Sequence, residues 1–241
     1  LDAPDGELDD LAGRLDALGL GVVGLYRYFR DGTTGYGIAH PDGEVRSRTV
    51  DYLRRVAELC GRLGGSVIVF GCPEQRAFPA GVSREEAWEN ARETITDGRL
   101  LSALEAAGVA ICVEPLTWKT DFLASTAETT AFAREIDHPN VRTMVDGYHL
   151  LREADSPDAT PELVRQVGPY LGHVHADDAS MRGPGGGDLD WGPIVTALEE
   201  VGYDGYVSVE THDVYVEDEA VDDYGACFRR SAETLLPLLG D

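Results

Sequence analysis

The sequence predicts an α/β fold of the (β/α)8-barrel type, and three observations predict it. Helix-like and strand-like stretches alternate along all 241 residues. The strand-like runs are continuous in Val, Ile, Met and Cys and do not alternate with polar residues, as expected of a sheet covered on both faces. Four of these runs end in a residue able to hold a cation: Glu114, Asp146, His175 and Glu210. The intervals between them are 32, 29 and 35 residues, about what one strand–helix repeat needs.

The elements follow in order. Residues 6–18 place Leu8, Leu11, Leu15 and Leu18 on one helical face, and acidic residues early in the segment suit a helix N-terminus. A strand is predicted over 22–29, then a Gly-rich loop to about 43 and a helix over 44–63 with Val50, Leu53, Val56, Ala57 and Cys60 inward. Residues 66–73 read as a buried strand closed by Gly-Cys-Pro. Ser83 and Glu86 form a capping box for a helix expected to run to Ala107 and stop at Gly108. Strands at 109–114, 141–146, 171–176 and 206–210 alternate with helices near 124–137, 160–168, 192–201 and 219–239.

Six strands are countable, and a closed barrel needs eight. The chain opens inside a helix, so the expectation is that the first strand, first helix and second strand of the barrel are missing. The countable strands are then its third to eighth, with the four ligand candidates on the fifth to eighth. An open doubly wound sheet is the alternative, but ligands from four successive strand ends converge more readily at a barrel mouth. No linker or composition break interrupts the pattern, so residues 1–241 are expected to form a single domain.

Composition bounds the function classes. Net charge is −24, and Lys119 stands alone against nineteen arginines. Such a surface repels polyphosphate, which argues against nucleic acid, and it suits a protein working at high salt. No apolar run is long enough to cross a bilayer and no signal peptide is visible. Cys60, Cys72, Cys112 and Cys227 lack CxxC spacing and read as reduced core thiols of a cytoplasmic protein. Open sheet edges invite pairing with another chain, so a homo-oligomer is expected, with no membrane partner.

Three carboxylates and one imidazole make a hard, mostly oxygen donor set. It suits Mn2+ or Mg2+, with Co2+ or Zn2+ as less fitting ions, better than it suits a closed structural zinc site. A cation held this way could chelate a small hydroxy-ketone and acidify the C–H beside its carbonyl. Glu114 and Glu210 would remove and return the proton, passing through a metal-bound enediolate. Arg76 follows a strand end, where barrel active-site loops lie, and is a candidate for substrate binding. Arg182 is another, in a Gly-rich loop that could act as a lid. Trp118 and Trp191 follow strand ends and are read as packing residues or as walls for a sugar ring. His173 is read as a packing or hydrogen-bonding residue on the far side of the strand from His175. The Gly185–Gly187 run lacks the Lys-Ser/Thr of a phosphate loop.

The segments ICVEPLTW, NVRTMVDGYHL, HVHADD…GPGGGDLDW and GYDGYVSVE resemble, in this order, signature segments of the xylose isomerase-like TIM-barrel superfamily. Within it they are most similar to the sugar phosphate isomerase/epimerase group, which includes hydroxypyruvate isomerase and the ketose 3-epimerases. FGCPEQR at 70–76 resembles a further segment of that group. The resemblance implies a divalent-metal-dependent isomerase or epimerase with Glu114, Asp146, His175 and Glu210 as ligands. It implies Glu114 and Glu210 as the acid/base pair and His149 as a contact to substrate oxygen. Two positions depart from the epimerase pattern: Met181 stands where an arginine is expected, with Arg182 after it, and Thr120 stands where a glutamate is expected. The superfamily also contains inosose and dehydroshikimate dehydratases, so a metal-dependent lyase is the alternative enzyme. A non-catalytic metal-binding subunit is the alternative of another class. The three-zinc apurinic endonucleases of the superfamily are disfavoured by the acidity and by missing ligands.

Overall fold

The structure, a computed structural model, describes residues 5–29, 33–117, 119–179, 183–187, 189–211 and 224–240. It packs as two compact units, Leu1–Val113 with Lys119–Leu123 and Phe132–Arg142, and Glu114–Trp118 with Ala124–Ala131 and Thr143–Asp241.

The first unit contains α1 (Asp5–Ala17), β1 (Gly24–Leu25), α2 (Gly43–Arg62), β2 (Val67–Phe70), α3 (Pro73–Arg76), α4 (Arg84–Ile95), α5 (Gly98–Ala107) and β3 (Ala110–Val113). Its strands pair in parallel, β1 with β2 and β2 with β3, in chain order. Every residue of β2 is buried, which accounts for its unbroken apolar run. Leu53, Val56, Ala57 and Cys60 of α2 meet Ile68, Phe70, Leu100, Leu104 and Ile111 in one core. That is the face expected from the 3.6-residue period of α2.

Two expectations change in this unit. The helix predicted from Ser83 to Ala107 is two helices, because Asp97 accepts a hydrogen bond from Arg99 N–H and so caps α5 afresh at Gly98. A side chain that competes for backbone donors ends one helix and starts the next. The strand predicted over 22–29 pairs only at Gly24 and Leu25.

The second unit takes the start of α6 (Thr126–Ile136) and the end of β4 (Val141–Asp146). It continues through α7 (Gly147–Glu153), α8 (Thr160–Val167), β5 (Leu171–Ala176), α9 (Trp191–Glu200), β6 (Val207–Val209) and α10 (Tyr224–Leu239). β4 pairs with β5 and β5 with β6, again parallel and in chain order. Val145, Val174, Ala176, Ile194, Leu198 and Leu235 form its core. Helix α7 was not predicted: Asp146, read only as a ligand, also serves as its N-cap by accepting from His149 N–H. At the other end of α7, Glu153 accepts from Thr126 N–H and hydroxyl, both at 2.9 Å, and so holds the start of α6. No described helix is long and apolar enough to cross a membrane.

All four cysteines are free and buried, and burial pushes the Cys60 thiol up to about 11. The thiolate is the reactive form, so the folded protein should react slowly with Ellman's reagent at pH 8. All four thiols should titrate in guanidinium; fast labelling of the folded chain would contradict this packing.

Candidate metal centre

Each ligand candidate is delivered by the end of a strand. Glu114 follows β3, Asp146 closes β4, His175 is the penultimate residue of β5 and Glu210 follows β6. All four belong to the second unit. Register aligns two of them, since Asp146 pairs with His175 across β4 and β5. Glu210 N–H donates to the Ala176 carbonyl at 3.0 Å, which extends the β5–β6 ladder to the last ligand.

The side chains converge. His175 Nδ1 lies 2.6 Å from Glu210 Oε2, 3.4 Å from Glu114 Oε1 and 3.7 Å from Asp146 Oδ2. One donor atom from each of the four lies within 4.8 Å of every other. Glu114, Asp146 and His175 are 2%, 3% and 5% exposed. Burial alone would lower the His175 pKa, but the three carboxylates of Asp146, Glu114 and Glu210 close to Nδ1 overcome it and raise it well above the usual range.

This donor set fits a divalent cation. Two buried carboxylates and the partly buried Glu210 gather around one imidazole and repel one another where water screens them poorly. A hard cation removes that cost, and oxygen donors with one imidazole are the ligands such ions take.

The surroundings divide labour among few atoms. Asp146 gives Oδ1 to His149 N–H at 2.9 Å and turns Oδ2 toward His175. His149, predicted as a substrate contact, is 3% exposed, and its Nδ1 faces Thr117. Asp177 is not among the residues the sequence singled out, although an acidic pair, Asp177 and Asp178, stands two residues after the candidate ligand His175. Its Oδ1 accepts from Tyr148 N–H at 2.8 Å. Burial, then the charges of Asp146 and Glu210, raise its pKa well above the carboxylate range. Asp177 thus holds the turn that follows Asp146. Gly147 permits that approach, because a Cβ there would lie 2.4 Å from the Asp177 carbonyl oxygen.

Three further expectations are revised or relocated. His173 is on the same face as His175, with ring centroids 5.2 Å apart and edge to face. Residues two apart in a strand share a face, so the expectation of opposite sides was wrong. Burial and the neighbouring His175 lower its pKa to about 3, against the pull of Glu210, so His173 is neutral. Trp191 is 2% exposed and packs in the core of the second unit. Arg76, in the first unit, is 0% exposed. It donates to the Leu123 carbonyl at 2.7 Å and to the Phe70 carbonyl, with its guanidinium over the Phe70 ring. It braces backbone, and this geometry gives its predicted substrate contact no support. Thr120 sits in a turn, accepting from Phe122 N–H at 3.2 Å. Arg182, Met181 and Trp118 lie outside the described residues. The Gly185–Gly187 run has a steric reason: at Gly187 a Cβ would meet Asp178 Oδ2 at 2.4 Å.

Comparison with known proteins follows the same lines. A family model described as xylose isomerase-like TIM barrel matches residues 1–231. The chain is 30% identical over 189 residues to D-psicose 3-epimerase of Ruminiclostridium cellulolyticum, covering 74% of this chain and 62% of that one. It is 27% identical over 231 residues to L-ribulose 3-epimerase of Mesorhizobium japonicum, covering 95% and 74%. The chain therefore spans under two thirds of the length of the first of these relatives. In fold it is similar to a crystal structure of D-psicose 3-epimerase from Clostridium cellulolyticum H10, with a TM-score of 0.84 and 21% identity over 99% of this chain and 86% of that one.

Two outcomes follow from the buried charge and from the close packing at Gly147. In chelator-treated protein, Glu114→Gln should melt at or above the wild-type temperature, because it removes one of three repelling carboxylates. Under saturating Mn2+ the order should reverse, since a bound ion adds about 2.7 kcal/mol at a hundred times its Kd and the variant forgoes that gain. Calorimetry in the two conditions checks the crossing. Gly147→Ala should cost roughly 1–3 kcal/mol through overpacking and weaken Mn2+ binding by at least about tenfold, read by isothermal titration.

Proposed function

Because the chain belongs to the xylose isomerase-like TIM-barrel family, we propose that it is a divalent-metal-dependent epimerase or isomerase of a small ketose or hydroxy-ketone. The observation that carries this reading is the convergence of Glu114 and Glu210 on His175 and Asp146 in one buried site. The named relatives act on ketoses, which favours epimerisation over the dehydratase alternative.

Glu114, Asp146, His175 and Glu210 hold the cation, Mn2+ or Mg2+ by donor type. When bound, it supplies Lewis-acid polarisation of the substrate carbonyl. Glu210 takes the proton from the carbon beside that carbonyl and becomes a carboxylic acid. Glu114, in its acid form, returns a proton to the other face, so the configuration inverts with no net change in atoms. Roles could run in the reverse order for the opposite epimer. His149 contacts a substrate oxygen, and Arg182 supplies a further substrate contact. The partner is a small sugar, acted on by a homo-oligomer.

Incubation with D-psicose, D-fructose or L-ribulose and Mn2+ in D2O should give the 3-epimer carrying one deuterium at C3, read by NMR and mass spectrometry. Chelation should abolish exchange. Glu210→Gln should reduce it by about 10²–10⁴-fold, the usual worth of an acid/base group. Absence of exchange across a broad ketose panel would sink the proposal, and a dehydrated product would replace it with the lyase reading.

A further inference from the structure

His149 carries a second, more specific piece of information. Its Nδ1 lies 3.3 Å from Thr117 N and 2.9 Å from Thr117 Oγ1. A main-chain N–H only donates, so the atom it points at must offer a lone pair. Nδ1 therefore accepts, and the Thr117 hydroxyl, facing the same atom, donates as well. In a neutral imidazole with an accepting Nδ1, the proton is on Nε2. The two anchors of the ring are independent. Asp146 Oδ1 fixes the His149 main chain at 2.9 Å, while Thr117 fixes the ring. Thr117 stands three residues after Glu114, on the segment that follows β3.

We propose that Thr117 is a positioning residue that locks His149 in the Nε2–H tautomer, so that this histidine acts on a ligand only as a hydrogen-bond donor. This rests on the reading of His149 as a substrate contact, and it deepens that reading. A donor at Nε2 recognises a carbonyl or hydroxyl oxygen lone pair, and it stabilises negative charge as that oxygen gains it. The other tautomer would present a lone pair to the substrate instead, and would repel an oxygen whose charge is increasing. The lock takes both donors: the backbone N–H, which any residue except proline supplies, is the longer contact at 3.3 Å, and the hydroxyl, which only Thr or Ser supplies here, is the closer at 2.9 Å.

The test uses the Mg2+-loaded, ¹⁵N-labelled protein, with long-range ¹H–¹⁵N correlation of the imidazole rings and the His149 signals assigned by their loss in His149→Gln. The wild type should show the Nε2–H pattern at His149. Thr117→Val keeps the backbone donor and the shape but loses the hydroxyl. With only the longer backbone contact left, it should show a mixture of tautomers shifted measurably toward Nδ1–H and a kcat/KM lower by about tenfold, the scale of one lost hydrogen bond, with Mn2+ affinity unchanged. Thr117→Ser should rescue both. Three results overturn the proposal: an Nδ1–H tautomer in the wild type, a Thr117→Val variant with wild-type ring signals, or a Thr117→Val variant that loses Mn2+ binding along with activity. The NMR arm needs no turnover, so a failure to epimerise any ketose would count against the functional reading and leave the tautomer result to stand by itself.

Discussion

Three carboxylates gathered around one imidazole, two of them buried and Glu210 partly so, set the terms for the second unit. Like charges at this spacing are costly when they cannot be screened, and the cost falls only if a cation or a proton is shared among them. His175 responds with a pKa raised by its three acidic neighbours despite its burial. Asp177, just behind them, is pushed toward its neutral form by burial and by Asp146 and Glu210. Both responses are local accommodations to the same excess of negative charge. The donor atoms are close enough that a single divalent ion would satisfy all of them at once.

The ligands stay in place because of packing that looks unrelated to them. Along β5, Val174 and Ala176 enter the core of the second unit while His173 and His175 share the opposite face. The strand period of two thus ties each ligand to a neighbouring core residue. β4 repeats the arrangement with Val145 in the core and Asp146 at the site. Pairing of Val145 with Val174 and of Asp146 with His175 then sets ligand against ligand and core against core. A shift of one residue in that register would exchange the two sets. The geometry of the candidate metal site and the stability of the fold are therefore not separable properties of these strands.

How much of this was legible in the sequence depended on whether a residue had one task or two. Glu114, His175 and Glu210 could be read as candidate ligands because each stands at or near the end of an apolar run, and the structure brings them together. Asp146 was legible as a ligand and illegible as a helix cap, so α7 went unseen; the cap needs only a backbone partner, His149 N–H, which has no side-chain signature. Thr117 escaped for the same reason, since its first contribution to His149 is a main-chain donor. Asp97 hid a helix break inside a stretch whose composition is helical on both sides. Arg76 misled in the other direction. A charge placed just after a strand end reads as a site residue, but here the guanidinium is spent on the Phe70 and Leu123 carbonyls. Local sequence does not reveal which backbone carbonyls the fold will leave in need of a donor.

The acidity of the chain bears on the same chemistry at longer range. A net charge of −24 surrounds a site whose own carboxylates are negative until a cation arrives. Such a field gathers cations and repels anions, and its reach is set by the Debye length, about 8 Å at physiological ionic strength. It therefore helps the metal to enter and opposes a phosphorylated sugar, which would bring two further negative charges to a site with no described lysine or arginine among its ligands. A neutral ketose meets no such barrier. Its recognition then falls to oriented dipoles and not to ion pairs, and a histidine whose proton is held at one ring nitrogen is such a dipole. The charge of the whole chain thus works against anionic ligands, and the tautomer proposed for His149 suits the uncharged ketose of the proposed function.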